Sequence, residues 1–230
     1  MNERASIPVG VTGPVAPLTA QTAPPFVRRG GAAARRAAKR CADALLATAG
    51  LALSAPLWAL ISAAIMLEDG RPIFFVKHCT GLGGTAFRQL KFRSMIRDAE
   101  RDTGPVLSWA GDSRITRVGS ILRKTALDEL PQLLNILAGH MSFVGPRPQR
   151  ALLVERYLSD IPNYGLRHCV RPGLTGLAQV RGRYHTPPRQ KLRYDLLYVR
   201  NASLTLDLKL FLASFWITAK GRWSSRERKR

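Results

Sequence analysis

The longest uninterrupted apolar run in the chain is the uncharged stretch from Ala44 to Leu67. At about 24 residues it is long enough to cross the hydrocarbon core of a bilayer as a helix. It starts too late and runs too long to be a cleavable signal peptide. Ser54 and Pro56 sit near its middle. Proline lacks a backbone donor and crowds the preceding turn, so the spacing predicts a kink there. Two courses stay open: the helix crosses, or it enters, turns at Ser54–Pro56 and returns to the same face. The charges lean to the second. Arg35, Arg36, Lys39 and Arg40 precede the run and Arg71 and Lys77 follow it, so the positive-inside rule finds no clean asymmetry.

Beyond this run the pattern shortens. PIFFVKH (72–78) and TAFRQLKFRSM (85–95) are strand-like and flank Gly81–Gly84, which predicts a β-hairpin with a glycine turn. A phosphate cradle at those glycines is the weaker reading. Helical spacing marks ITRVGSILRK (115–124), LPQLLNILAG (130–139), PQRALLVERYLSDI (148–161) and KLRYDLLYVRN (191–201). Residues 160–187, dense in Gly, Pro and Arg, read as an irregular loop near a site. LTLDLKLFLASFWITAKGRW (204–223) is a last helix, either core or lying in a membrane interface, where its aromatics and adjacent cations fit. The elements predict a helix-rich α+β fold. Four segments follow: a disordered tail over 1–38 that turns basic, a membrane helix over 39–68, a main domain over 69–219, and a basic tail over 220–230.

Charge sharpens the picture. A formal net charge of +21 calls for an anionic partner: nucleic acid, an acidic membrane surface or a phosphorylated substrate. Cys41, Cys79 and Cys169 are widely spaced and form no CxxC or Cys/His group, which argues against a disulfide framework or a zinc site. Within this basic chain the adjacent acids Asp128-Glu129 lie close after Arg123 and Lys124 and ahead of Arg147. Acids among arginines suit phosphate chemistry, with one carboxylate attacking or binding metal while cations hold phosphate oxygens. The bland alternative is that the acids merely favour the positive end of the helix that follows.

Six strings in order decide between these: KRCAD (39–43) with its apolar segment, LKFRSM (90–95), DSRITRVGSILRK (112–124), LDELPQLLNILAGHMSFVGPRP (127–148), RPGLTGLAQVRGR (171–183) and YDLLYVRNASLTLDLKL (194–210). Together they resemble the bacterial sugar transferases, polyprenyl-phosphate glycosyl-1-phosphate transferases, in their small exopolysaccharide-production form. The resemblance covers roughly residues 39–216. It implies a monotopic enzyme with one re-entrant, Pro-kinked membrane helix and a compact domain on the cytoplasmic face of the bacterial inner membrane. It further implies transfer of a hexose 1-phosphate, galactose or glucose, from a UDP-sugar to undecaprenyl phosphate with release of UMP, as the first membrane step of exopolysaccharide synthesis.

By the same resemblance Asp128 is the nucleophile, forming a phosphosugar–aspartyl intermediate. Glu129 is the ligand of Mg²⁺, a hard ion that shares oxygen ligands with phosphates and neutralises them. Arg123 and Arg147 are expected phosphate clamps, Lys91 and Arg93 supports for the acids or the nucleotide, Arg183 a uridine or sugar contact, and Asp195 an orienter of arginines or a structural ion pair. Two positions depart from the family pattern. Ala55 stands where Ser precedes the proline, and Ala126 stands where Ser precedes LDEL, with Thr125 expected to cap the following helix instead. Anionic lipids are expected partners, and a homodimer is preferred on general grounds of symmetry. A membrane-tethered nucleic-acid binder is the alternative from another class. No helix-turn-helix, RNA-binding or zinc signature supports it, and the expectation is no nucleic-acid partner. A UDP-releasing glycosyltransferase lacks its Rossmann opening here, and a non-catalytic export partner would not need the acid pair.

Overall fold

The apolar run and part of its basic lead-in form one continuous helix, α1 (Ala32–Asp69), in a computed structural model of the chain. The structure describes residues 32–101, 104, 106, 108, 109, 111–182 and 186–220. Residues 1–31 of the expected disordered tail, and the basic tail after 220, lie outside the described residues. Residues 32–38 belong to α1 rather than to the tail. Alanine dominates that stretch and carries the highest helix propensity, so nothing stops the helix at Lys39. Among the described residues α1 is the helix long and apolar enough to cross a membrane.

Pro56 sits inside α1 without ending it. Ser54 Oγ donates to the Gly50 carbonyl at 2.6 Å and accepts from Trp58 Nε1 at 3.0 Å. Back-bonding of this kind loosens the helical ladder one turn before the proline, which itself offers no donor. Both ends of α1 are fastened to the rest of the chain. At the N-terminal end Lys39 pairs with Asp207 at 2.7 Å, Arg40 donates to the carbonyls of Ile136 and Leu137, and the Asp43 carboxylate accepts from Phe143 N at 3.1 Å. At the C-terminal end Glu68 accepts from Arg117 N and Val118 N at 2.7 and 2.9 Å, and Asp69 pairs with Arg93 at 3.1 Å. Between them Ile61 and Ile65 pack on Phe92 and Leu122.

The expected hairpin is present: β1 (Phe74–Thr80) pairs antiparallel with β2 (Ala86–Phe92), in a register that sets Phe75 against Lys91 and Lys77 against Gln89. The intervening glycines make the turn, with Gly83 at φ 64°. Helix α2 (Arg117–Thr125) starts on Thr116, whose hydroxyl accepts from Gly119 N at 2.9 Å. It ends on Ala126, which takes the left-handed conformation at φ 58°. A short 3₁₀ turn, Leu127–Glu129, and α3 (Gln132–Leu137) follow at once. Thr125 does not cap that turn as expected. Its hydroxyl donates back to the Ile121 and Leu122 carbonyls, because the left-handed Ala126 redirects the chain between them.

The segment read as an irregular loop, 160–187, holds more order than its composition suggests. It contains a 3₁₀ turn (Tyr164–Cys169), β4 (Gly173–Thr175) and α5 (Leu177–Arg181). Strand β4 pairs in parallel with β3 (Ser142–Val144), just ahead of the Pro146-Arg147-Pro148 run. The two backbones touch there. A Cβ on Gly173 would sit 2.1 Å from Gly145 N, so only glycine permits the contact. Helices α4 (Ala151–Asp160), α6 (Pro188–Asn201) and α7 (Leu204–Ala219) complete the fold. The main core gathers Ala47, Cys79, Phe87, Ile136, Met141, Val144 and Tyr198. Helix α7 is both core and surface: Leu210 and Ile217 are buried, while Leu204, Leu208, Leu212, Phe215 and Trp216 form an exposed stripe at helical spacing.

Candidate active site

Two amides of α3 place the acid pair. Gln132 Oε1 accepts from Gln89 Nε2 at 2.8 Å, and Asn135 bonds the β2 backbone on both sides, accepting from Leu90 N and donating to Arg88 O. These residues lie three apart and face one way on the helix; Asn135 takes the free backbone edge of β2 and Gln132 a side chain of the same strand. The 3₁₀ turn that immediately precedes α3 is thereby pressed toward Lys91, the next inward-facing residue of that strand.

Lys91 Nζ meets both acids, at 3.3 Å from Asp128 Oδ2 and 2.7 Å from Glu129 Oε1. Arg147 Nη2 donates to the same Glu129 oxygen at 2.6 Å. Asp128 is buried, and the Glu129 side chain is 16% exposed. Their environments push them apart. Burial raises the Asp128 carboxyl, Lys91 pulls it back and the Glu129 charge adds to the rise, so it stands above the usual aspartate range. Burial also raises Glu129, but the Arg147 and Lys91 charges and hydrogen bonds reverse this and hold it well below the usual range. Each acid has one oxygen held by cations. Asp128 Oδ1 and Glu129 Oε2 have no partner among the described residues.

The acids line a cleft of about 1860 Å³ that also holds Lys77, Lys91, Arg123, Arg147 and Arg150. Arg123 reaches it from α2 and donates to Ser108 Oγ at 3.1 Å. Arg93 is placed differently from expectation. Its guanidinium donates to the Asp69 and Gly70 carbonyls and pairs with Asp69, clasping the end of α1 instead of the acids. The strand alternates sides, so Lys91 and Arg93 share a face, but the α1 carboxyl end intercepts the second of them. Asp195 resolves to an ion pair. It holds Arg167 at 2.8 Å with both side chains buried, and Arg167 Nη2 in turn donates to the Arg147 carbonyl at 2.8 Å. Asp195 is thus linked to the backbone of the cleft residue Arg147 through Arg167, whose local string carries no mark of this position. Arg183 lies outside the described residues.

The donor set suits a hard divalent ion. Among the described residues no group of three or more His, Cys, Asp or Glu gathers, but two adjacent carboxylates with unheld oxygens do. Mg²⁺ is bound by one or two carboxylates together with substrate phosphates, and not by an all-protein cage.

The sequence profile of the bacterial sugar transferases matches residues 34–221. A UDP-glucose:undecaprenyl-phosphate glucose-1-phosphate transferase of Caulobacter vibrioides is 47% identical over 181 residues, 76% of this chain and 67% of that protein. A UDP-N-acetylgalactosamine-undecaprenyl-phosphate N-acetylgalactosaminephosphotransferase of Aeromonas hydrophila is 41% identical over 173 residues, 74% of this chain but 41% of its own length. The chain thus spans less than half of some relatives. It covers far more of the exopolysaccharide production protein PSS of Rhizobium leguminosarum bv. phaseoli, at 40% identity over 187 residues, 76% of this chain and 92% of that one.

Proposed function

The chain belongs to the bacterial sugar transferase family, and from that premise we propose that it transfers a hexose 1-phosphate from a UDP-sugar to undecaprenyl phosphate and releases UMP. The carrying observation is the divided acid pair: one carboxylate raised, the other firmly ionised, each with an unheld oxygen in a cation-lined cleft. Asp128 Oδ1 attacks the β-phosphorus. The new aspartyl–phosphorus bond forms as the bond to the UMP oxygen breaks, and the leaving electron pair stays on UMP. A lipid phosphate oxygen then attacks the same phosphorus, freeing Asp128 and leaving a diphosphate link between lipid and sugar. Lys91 and Arg147 offset the charge of two anions meeting a carboxylate. Glu129 Oε2 and the substrate phosphates would hold Mg²⁺, which adds Lewis-acid neutralisation at the phosphoryl oxygens. The Caulobacter relative, a glucose-1-phosphate transferase, favours glucose over galactose as the sugar.

Helix α1 supports a same-face course in the membrane. Its 38 residues measure about 57 Å, against a hydrocarbon core of roughly 30 Å. A crossing helix would separate its ends across the bilayer, yet both ends bind the one domain. A bend at the loosened turn around Ser54 and Pro56 would keep both ends on one face, and that supports a cleft at the cytoplasmic face of the inner membrane, within reach of the lipid substrate.

The test is UMP release by the full chain in nanodiscs containing undecaprenyl phosphate and Mg²⁺, across a panel of UDP-sugars, beside Asp128→Asn. Release of UMP with UDP-glucose or UDP-galactose, reduced at least about a thousandfold by the substitution, is expected. Release of UDP, or an active Asp128→Asn, would overturn the reading.

A further inference from the structure

Most cations of the cleft are already engaged. Lys91 and Arg147 share Glu129, Arg150 pairs with Glu100, and Arg123 donates to Ser108. Lys77, beside the acid pair's own lysine on the hairpin, is not. It lines the cleft from β1, half-buried, and makes no side-chain hydrogen bond or ion pair among the described residues.

Its surroundings are specific. Strand β1 has β2 on one side; on the other, Thr80 N donates to Gln149 O at 3.0 Å and Cys79 bridges Arg150, so the chain following Pro148 forms the second border. Phe75, Lys77 and Cys79 alternate onto one face, the face of Gln89 and Lys91 across the ladder. Arg150 lies over the Phe75 ring at 6.0 Å, on that face too. Lys77 therefore stands one strand repeat, about 6.8 Å, along from the Phe75–Lys91 pair that meets the acids. Lys91, Arg147 and Arg150 all act on it as like charges. An ammonium half out of water among three other cations, with only the Cys79 thiol in its favour and no carboxylate paired to it among the described residues, destabilises the empty protein. A phosphate is the group that reverses the balance, accepting from an ammonium through its charged oxygens.

We propose that Lys77 is a substrate-phosphate ligand, binding the phosphate next to the one that Asp128 attacks. This rests on the reading of the cleft as a sugar-1-phosphate transfer site and adds a residue to it. Two phosphates of that reaction adjoin the attacked phosphorus, the nucleotide's inner phosphate and the lipid's, and both offer anionic oxygens. Burial and the neighbouring cations push the lysine down to about 8, so it still carries its proton at neutral pH when the cleft is empty.

The test compares wild type, Lys77→Met and Lys77→Arg, each as the full chain in nanodiscs. It measures the melting temperature without substrate, the binding of UMP and of uridine, and the KM for UDP-glucose and for undecaprenyl phosphate. The expected result is that Lys77→Met melts no lower than wild type yet weakens one phosphate substrate by roughly tenfold or more, with partial recovery in Lys77→Arg. Weaker UMP binding with unchanged uridine binding assigns the lysine to the nucleotide. A raised KM for the lipid alone assigns it to the lipid phosphate. Both KM values and the UMP affinity within twofold of wild type would overturn the proposal, and so would a lower melting temperature with unchanged substrate constants. Wild-type protein that binds neither UMP nor UDP-glucose and turns over no donor would remove the transferase reading, and this inference with it.

Discussion

The outer face of α1 and the floor of the cleft are built on opposite rules. On α1, Leu46, Leu53, Leu60 and Leu67 recur every seven residues and stand in the open, with Leu53 84% and Leu67 88% exposed. In the cleft, Asp128, Arg167 and Asp195 are buried. A protein folding in water alone does the reverse in both places. Exposed leucines in a row suit a solvent that is itself apolar, whereas buried charges persist where they meet a charged ligand or hold one another in position. The two regions meet at the end of α1, where Glu68 and Asp69 fasten the apolar helix to α2 and to Arg93. The apolar helix and the charged cleft are thus joined by a few hydrogen bonds and one ion pair.

The largest effect should come from reversing the rule on the apolar side. Leu53→Lys with Leu60→Lys places two ammonium groups on the outward face, at about 2.5 kcal/mol each near a membrane helix centre, so partition into anionic vesicles should fall more than roughly a thousandfold. Flotation with vesicles measures this, and a double variant that floats like wild type would break the comparison. The next contrast lies within the cleft. Asp195→Asn leaves Arg167 buried without its counter-charge and should cost about 3–5 kcal/mol of stability, a melting temperature lower by roughly ten degrees or more. Asp128→Asn removes a strained carboxylate and should melt no lower than wild type while losing activity. Thermal unfolding of the pair side by side separates an acid kept for structure from one kept for chemistry.

The smallest effect is a pH dependence in the substrate-free protein. Lys77 has its proton affinity lowered in the fold, to about 8 from an ordinary 10.5. Below about 8 both the folded and unfolded lysine are protonated and the full penalty of the unpaired charge is present. Between about 8 and 10.5 the unfolded chain binds a proton that the folded one does not, so the contribution of Lys77 to stability rises with pH. The melting temperature of wild type relative to Lys77→Met should climb by a few degrees between pH 7.5 and 10. A flat difference would show that the cleft does not strain this lysine.

Much of the architecture was legible one segment at a time. The 3.6-residue spacing in 115–124 and 191–201, the glycine turn between two strand-like runs, and the length of the apolar run are local signals, and each corresponds to α2, α6, the hairpin or α1. The acid pair stood out because adjacent carboxylates are conspicuous in a chain of net charge +21. Strands β3 and β4 left no such mark. Three residues are too few to show a period, and their pairing depends on Gly145 and Gly173 meeting across the fold. Arg93 looked equivalent to Lys91 on its strand until α1 claimed it.

The sequence by itself determined the longer helices and the hairpin, the stretch that seeks an apolar solvent, and the residues that stand out as acids in a basic chain, because propensity, periodicity and side-chain type act within a few bonds or a single turn. Only the tertiary structure decided the partnerships. Lys91 and Arg147 converge on Glu129, Asp195 reaches the Arg147 carbonyl through Arg167, and Lys77 has no anion among the described residues. Charge pairing and desolvation depend on distance through space, and that distance exists only once β2, α3 and the Pro146–Pro148 run have packed together.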